Sequence, residues 1–284
     1  MSVGISRYPE DGDNAVDLIR AADSAMFESK SPKHHREILQ ENPDYSRDES
    51  NDSLTWFFQL QKDRANNIIG IKPLVCWHRP DAEPRSIITS SGFRPDQDEF
   101  SGHMEALFSL PGSLKSDPGL TLPTITFPLP VELISSRLIS QLLSSLSGMG
   151  IPTDKWFFSF SEKEIEDATV QERELIMQLS QSGYGTQLAD FGSVSGALHR
   201  LTCLGPNRLA LAPDIIEAVP SDQGANRIAQ SALAVSEIFD VEVVADGVAS
   251  NAQHKTLDEM GYQLFDGSAI SPLIPSDRLQ DHLR

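Results

Sequence analysis

The chain contains little cysteine, few basic residues and no long apolar run. Its two cysteines, Cys76 and Cys203, form no Cys-x-x-Cys pair, which excludes a disulfide framework and a zinc knuckle and fits a reducing compartment. The seven histidines form neither a His-x-His nor a His-Glu-x-x-His pattern, so no zinc-enzyme motif is present. There is no signal peptide, and no apolar run approaches the ~18–20 residues that span a bilayer. These absences predict a cytoplasmic protein without a membrane segment.

Positive charge is also scarce. The sequence has 23 lysines and arginines against 41 acidic residues, a formal net charge of −18. Such a surface repels nucleic acid and anionic membranes. We therefore expect no nucleic-acid partner.

The pattern along the chain divides it into three parts. Residues 1–30 read as one strand, a turn and one helix, which cannot close a core and so predict the C-terminal fragment of a domain. Residues 31–53 are acidic, poor in apolar residues and interrupted by Pro43, as is typical of a flexible linker. Residues 54–284 are predicted to form one α/β domain.

Short strands alternate with helices through this domain. A hairpin is predicted from 54–61 and 68–77, and further strands at 124–129, 156–161, 186–190, 207–212, 241–245 and 262–265. Helices are predicted over 131–148, 165–182, 194–203, 224–238 and 250–259, with a last one after Pro275-Ser276. This alternation is typical of a (β/α) barrel, whose active site lies at the carboxyl ends of the strands. The positions at those ends are Lys72, Pro128, Ser159, Ala189, Asp190, Ala210, Asp246 and Asp266.

Seven segments resemble, in the correct order, the motifs of the EAL domain, a family whose active members hydrolyse cyclic di-GMP with two Mg²⁺ or Mn²⁺ ions. Gly70 to Trp77 resembles the Gly-x-Glu-Ala-Leu-x-Arg-Trp motif that names the family, and Gly183 to Gly192 resembles its Asp-Asp-Phe-Gly strand. The other five segments are 57–61, 157–162, 209–212, 244–249 and 266–273.

The resemblance covers roughly residues 55 to 284 and implies an EAL-type modified TIM (β/α)8 barrel. Residues 1–30 resemble the C-terminal end of a GGDEF domain, the usual N-terminal neighbour of an EAL domain. The domains expected are therefore a GGDEF-like fragment, the linker, and a degenerate EAL-like barrel over 54–284.

The family's metal and lysine positions are largely lost. Hard divalent ions need oxygen ligands, and two of them activate a water for attack on a phosphodiester. By resemblance, five of the eight positions no longer carry the required group: Lys72, Pro128, Ser159, Ala189 and Ala210. Asp190 is kept, a later Glu is shortened to Asp246, and a Gln has become Asp266. We therefore predict neither bound metal nor phosphodiesterase activity.

Binding of the nucleotide without hydrolysis is a separate question. The resemblance suggests possible ligand-binding positions at Gln59, Leu74, Asp190, Asp246 and Pro272. The family's two phosphate-contacting arginines are replaced by Cys76 and Ser271. A dianionic ligand would therefore need compensating cations, for which Lys72, Arg79 and Arg208 are the candidates.

Several of these residues also have a structural interpretation. Asp190-Phe191-Gly192 is explained by packing of Phe191 and a tight turn at Gly192 in preference to a functional role. Lys72 is predicted to form an internal salt bridge with Asp190, Asp246 and Asp266 in place of metal. Glu162 is expected to order a loop as a hydrogen-bond acceptor.

The leading hypothesis is a catalytically inactive barrel that acts through protein–protein contacts in a cyclic di-GMP-related bacterial pathway. The resemblance further implies a homodimer and a protein partner that no residue identifies. Two alternatives stay open. One is a receptor that binds cyclic di-GMP without cleaving it, and the other is residual metal-dependent hydrolysis with ligands from Asp190, Asp246, Asp266 and Glu162.

Overall fold

The computed structural model describes residues 53–78, 85–86, 122–193 and 197–283. All of them belong to one compact unit, Ser53–Arg284. The predicted GGDEF-like fragment at 1–30 and the predicted linker at 31–53 lie outside the described residues, apart from Ser53, which begins the first strand.

The described residues form ten strands and eight α-helices. The strands are β1 Ser53–Asp63, β2 Ile68–His78, β3 Arg85–Ser86, β4 Thr124–Pro128, β5 Trp156–Ser161, β6 Gly185–Phe191, β7 Arg208–Leu211, β8 Glu242–Ala245, β9 Leu264–Phe265 and β10 Ile274–Pro275. The helices are α1 Ser136–Met149, α2 Glu162–Asp167, α3 Val170–Gln181, α4 Ala197–Leu204, α5 Pro213–Ala218, α6 Gln223–Phe239, α7 Asn251–Met260 and α8 Leu279–Leu283. None of these helices combines the length and the apolar character needed to cross a membrane.

Eight of the strands close into a barrel in the order β1-β2-β4-β5-β6-β7-β8-β9, and β9 returns to β1. The pairs from β2 to β9 are parallel, whereas β1 is antiparallel to both of its neighbours. The predicted α/β barrel is therefore confirmed, and its hairpin is β1–β2. The short β3 and β10 extend the edges of β2 and β1.

Local capping signals explain where the helices begin and end. The Ser135 side chain accepts a hydrogen bond from Leu138 N at the start of α1, and Gly150 ends that helix with a φ of 62°. A capping box of Thr169 and Glu172 starts α3, and one of Ser250 and Gln253 starts α7.

The core has an apolar part and a polar part. Aromatic rings pack in a chain through Trp56, Phe127, Phe158 and Tyr184, with centroids 5.8 to 6.4 Å apart. Polar side chains instead fill much of the barrel interior. Hydrogen bonds join strands that are not neighbours in the sheet, such as β1 to β4 and β7 to β4, so these side chains point into the lumen.

The main differences from the sequence-based expectation concern the helices. The helix predicted over 165–182 is two helices, because the Thr169 cap starts a new helix after an extended Ala168. The helix predicted from 131 begins with a 3-10 turn and becomes α-helical only at Ser136. Helix α5 was not predicted, since its six residues are too few to show a period.

Candidate functional site

The most highly charged feature of the barrel mouth is an ion pair across the lumen. The Nζ atom of Lys72 lies 2.6 Å and 2.8 Å from the two carboxylate oxygens of Asp246, and 3.4 Å from Oδ2 of Asp266. The Lys72 and Asp266 side chains are only 12% and 1% exposed. The predicted salt bridge is therefore confirmed for two of its three acids.

These three residues are far apart in the sequence, and closure of the barrel brings them together. Lys72 lies on β2, whereas Asp246 and Asp266 directly follow β8 and β9. In the sheet, β1 stands between β2 and β9, so the lysine reaches across the mouth.

Asp266 is held on several sides. Gln61 Nε2 donates to its Oδ2 at 3.0 Å, and Gly247 N lies 3.2 Å from its Oδ1. Burial, together with the charge of Asp246, raises the pKa of Asp266 to about 7. Near neutral pH this carboxyl group therefore retains part of its proton.

Lys72 and Asp246 stabilise each other's charged forms. Burial alone would lower the pKa of Lys72, but the attraction of Asp246 and Asp266 raises it above its ordinary value. Burial would likewise raise the pKa of Asp246, but the Lys72 charge and hydrogen bonds hold it below its usual range. The pair is thus an ammonium and a carboxylate.

Asp190 lies at the same mouth but in a separate contact. Burial raises its pKa, opposed by a hydrogen bond with Ser161, and Lys72 and Asp246 act on it only electrostatically. Its φ of 56° is left-handed, a conformation that aspartate tolerates better than most residues. Phe191 is 6% exposed and Gly192 has a φ of 93°, as the packing and tight-turn interpretation expects.

Glu162 orders the loop after β6. Its carboxylate is fully buried, accepts a hydrogen bond from Gly192 N at 3.0 Å, and receives Nε and Nη2 of Arg200 at 3.2 Å and 3.0 Å. The predicted loop-ordering contact is therefore present.

The other predicted positions are spread over the mouth. Pro128 ends β4, Ser159 Oγ lies 3.0 Å from Gln187 Nε2, Ala189 is half-buried, and Ala210 is fully buried. Of the suggested ligand positions, Gln59 pairs with Lys72 across the hairpin, Leu74 is buried against Phe57 and Cys76, and Pro272 is exposed.

Arg208 does not belong to the mouth, and its suggested role as a compensating cation is wrong. It begins β7, at the amino end of the barrel, where Nε lies 2.6 Å from Glu242 Oε2. Its Cζ atom lies 3.6 Å from the centre of the Phe157 ring, and Nη1 lies 3.4 Å from Thr124 Oγ1. Arg79 lies outside the described residues.

Two carboxyl groups of the mouth already have a cationic partner. No group of three or more histidine, cysteine, aspartate or glutamate side chains is arranged to hold a metal within the described ranges. The ammonium of Lys72 instead lies against Asp246, at a metal-ligand position of the resemblance, and against Asp266, which stands where the family has a Gln. A unit charge and a dication 4 Å apart repel by about 8 kcal/mol at an effective dielectric constant near 20.

Three contributing residues were missed from sequence. Gln61 and Ser161 lie two residues from Gln59 and Ser159, on the same strand faces, so the period-two pattern could have found them. Arg200 carries no such signal, because nothing in the sequence links a helical arginine to Glu162.

A closed barrel with an antiparallel first strand and acidic side chains at its carboxyl mouth defines the class of modified (β/α)8 barrels. Residues 44–273 match the family model of the EAL domain. The chain therefore belongs to the EAL family.

Known relatives are similar along most of this chain. It is 22% identical over 306 residues to the bifunctional diguanylate cyclase/cyclic di-GMP phosphodiesterase MucR of Pseudomonas aeruginosa, covering 98% of this chain and 43% of the relative. It is 21% identical to the signaling protein YkoW of Bacillus subtilis, covering 100% of this chain and 38% of that protein. The chain thus spans about two fifths of the length of these relatives.

Solved structures show the same fold. The phosphodiesterase of PaMucR in complex with c-di-GMP superposes with a TM-score of 0.68 at 20% identity, covering 85% of this chain and 99% of that one. The EAL enzyme Bd1971, bound to cAMP and cyclic-di-GMP, gives a TM-score of 0.68 at 15% identity, covering 96% and 77%.

Proposed function

We propose that this chain is a non-catalytic EAL domain that acts in cyclic di-GMP signalling through contacts with another protein. The observation that carries the proposal is the Lys72 ammonium, 2.6 Å from Asp246 and 3.4 Å from Asp266. Two-metal hydrolysis requires cations at such carboxylates to activate water and to neutralise the phosphodiester. Here the cation is a side chain, which offers no open coordination position.

The remaining positions support the same conclusion. Proline and alanine at 128, 189 and 210 supply neither a metal ligand nor a charged group near an attacking water. Asp190 and Asp246 are the two acids that stand at acidic ligand positions of the family, and Asp246 is already neutralised by Lys72. We therefore expect no metal cofactor and no turnover.

A turnover assay tests the proposal. The purified chain is incubated with cyclic di-GMP and Mn²⁺ or Mg²⁺, with the MucR phosphodiesterase as the positive control. The expected result is no linear dinucleotide above the protein-free blank. Product that forms with the wild-type chain and disappears in the Asp190→Asn variant would overturn the proposal.

A receptor that binds without cleaving is the second candidate. Its support is the c-di-GMP bound to two relatives of the same fold, together with Gln59, Asp190 and Asp246 at the mouth. The loss of Arg208 as a mouth cation weighs against it, because a dianion needs positive charge. Calorimetric titration with cyclic di-GMP separates the two: micromolar binding without product would favour the receptor.

The partner in the leading proposal is a bacterial signalling protein or a second copy of the chain, in the cytoplasm. Light scattering after size-exclusion chromatography would measure the oligomeric state directly. Crosslinking of the intact chain with candidate regulators would then identify a hetero-partner.

A further inference from the structure

The Lys72 ammonium connects elements beyond the two carboxylates that it contacts. Asp266 accepts at Oδ1 from Gly247 N at 3.2 Å, and its backbone oxygen accepts from Val248 N at 2.9 Å. The residues after β8 are thus bound to the residues after β9 at the point where the lysine holds both acids.

The residues after β8 pack tightly against the residues after β9. Gly267 has a φ of 130°, and a Cβ atom there would overlap the backbone of Val248. Ala269 N also donates to Val248 O at 2.9 Å. The two loops therefore have little freedom to separate while Asp246 and Asp266 share one cation.

The connection continues to the neighbouring helices. Ala249 N and Ser250 N both donate to Gln253 Oε1 at 2.9 Å, which fixes the start of α7. Gln253 Nε2 in turn lies 3.4 Å from the backbone oxygen of Glu217 in α5. The loop at 246–250 thus joins the mouth to two helices on the outside of the barrel.

We propose that the Lys72 side chain acts as a built-in cation that positions the loop at 246–250 without divalent metal. Buried acidic groups that meet at one point are stabilised by a cation that contacts both of them. Lys72 supplies that charge from β2, which β1 separates from β9, so the loop and the start of α7 keep one conformation whatever the metal concentration. Lys72 is in this sense a positioning residue.

This inference rests on the same ion pair as the proposed function but concerns conformation, so it has a separate readout. Hydrogen exchange at the Gly247 and Val248 amides is measured with EDTA and with Mn²⁺, for the wild type and for Lys72→Met. The wild type is expected to exchange at the same rate in both conditions. The variant is expected to exchange roughly tenfold faster at these two amides, with little change in α3.

Three further variants make the test specific. Lys62→Met is the matched control, since Lys62 lies on β1 and donates to Asn66 rather than to an acid. Lys72→Arg keeps the charge and should restore part of the protection. Lys72→Glu creates a group of three carboxylates, which suits Mn²⁺, so its protection should be low in EDTA and should rise on adding Mn²⁺.

The outcomes are distinguishable from those of the turnover assay. Mn²⁺-dependent protection of the wild-type loop, or unchanged exchange in Lys72→Met, would overturn the built-in cation. If the wild type hydrolyses cyclic di-GMP while the exchange rate of its loop amides does not depend on Mn²⁺, the proposed function is wrong and this inference still holds. If Lys72→Met fails to fold, the Lys72→Glu variant tests the proposal instead. Protection of its Gly247 and Val248 amides that does not rise on adding Mn²⁺ would overturn the built-in cation.

Discussion

At the residue scale, Lys72 balances two carboxyl groups that ionise differently. Asp246 keeps its negative charge, because its pKa is held low by the lysine. Asp266 is almost fully buried and retains its proton to a higher pH. One ammonium therefore meets the full negative charge of Asp246 and, near neutral pH, part of a second charge on Asp266.

Lys72→Met should destabilise the domain by about 3–5 kcal/mol. The substitution keeps the apolar stem but leaves Asp246 as a charge without its partner, and removing one member of a buried pair has this typical cost. Urea unfolding measures the change. Lys62→Met, at a partly exposed position, should cost less than about 1 kcal/mol; equal losses in the two variants would contradict the prediction.

The stability of the domain should fall as pH rises from about 4 to about 7. Asp266 has a raised folded pKa, near 7, so in this window the folded state binds the proton that the unfolded state has released. Its contribution is greatest at the acidic end and is lost by about pH 7, and the raised pKa of Asp190 acts in the same direction.

Urea unfolding at pH 5 and pH 8 would measure this slope, with an expected fall of at least about 1 kcal/mol. Asp266→Asn removes the titrating group and should flatten the profile, whereas Asp277→Asn, at an exposed position, should leave it unchanged. If the free energy of unfolding of Asp266→Asn falls between pH 5 and pH 8 as steeply as that of the wild type, a group other than Asp266 causes the pH dependence.

At the element scale, Glu162 joins three pieces of the fold. It begins α2 directly after β5, binds Gly192 in the loop after β6, and receives Arg200 from α4. A buried carboxylate thus binds both the residue that directly follows β6 and a side chain of α4.

Arg200→Met should cost about 3 kcal/mol, because the fully buried Glu162 would lose its cation. Hydrogen exchange should rise locally in the β6–α4 region, and thermal unfolding gives the global change. Arg227→Met, on the exposed face of α6, is the matched control and should be close to neutral. A uniform rise in exchange across the domain would argue against a local role.

The sequence predicted the elements whose apolar residues follow a clear pattern. The β1–β2 hairpin and β5 were predicted nearly to the residue, because alternating or continuous apolar runs between turn signals identify strands. The break before α3 could not be predicted from periodicity, since Thr169 lies inside a helix-compatible stretch and acts only through its contact with Glu172. Short elements such as α5 carry too few residues to show a pattern.

The site was predicted in part. The resemblance placed Lys72, Asp246 and Asp266 at one mouth, and charge alone then favoured an ion pair. The suggestion that Arg208 is a mouth cation was wrong because the residue was considered apart from its strand. The strand predicted at 207–212 already puts Arg208 at the amino end, away from the mouth.

At the scale of the whole molecule, the net charge of −18 lowers the stability of the folded state. Like charges on a folded surface repel one another, and salt screens that repulsion. The thermal midpoint should therefore rise by roughly 2 °C or more between 20 mM and about 200 mM NaCl. KCl at equal ionic strength separates screening from ion-specific binding, and a falling midpoint would contradict the prediction.

Among the described residues, Lys72 contacts the acids that follow β8 and β9, whereas Arg208 begins β7 and contacts Glu242. The two cations share none of these partners. Changes at sites without a shared partner normally add, so a Lys72→Met/Arg208→Met double variant should lose the sum of the single losses within about 0.5 kcal/mol. The contacts at the base of the barrel can therefore stabilise the fold independently of which side chains stand at the mouth.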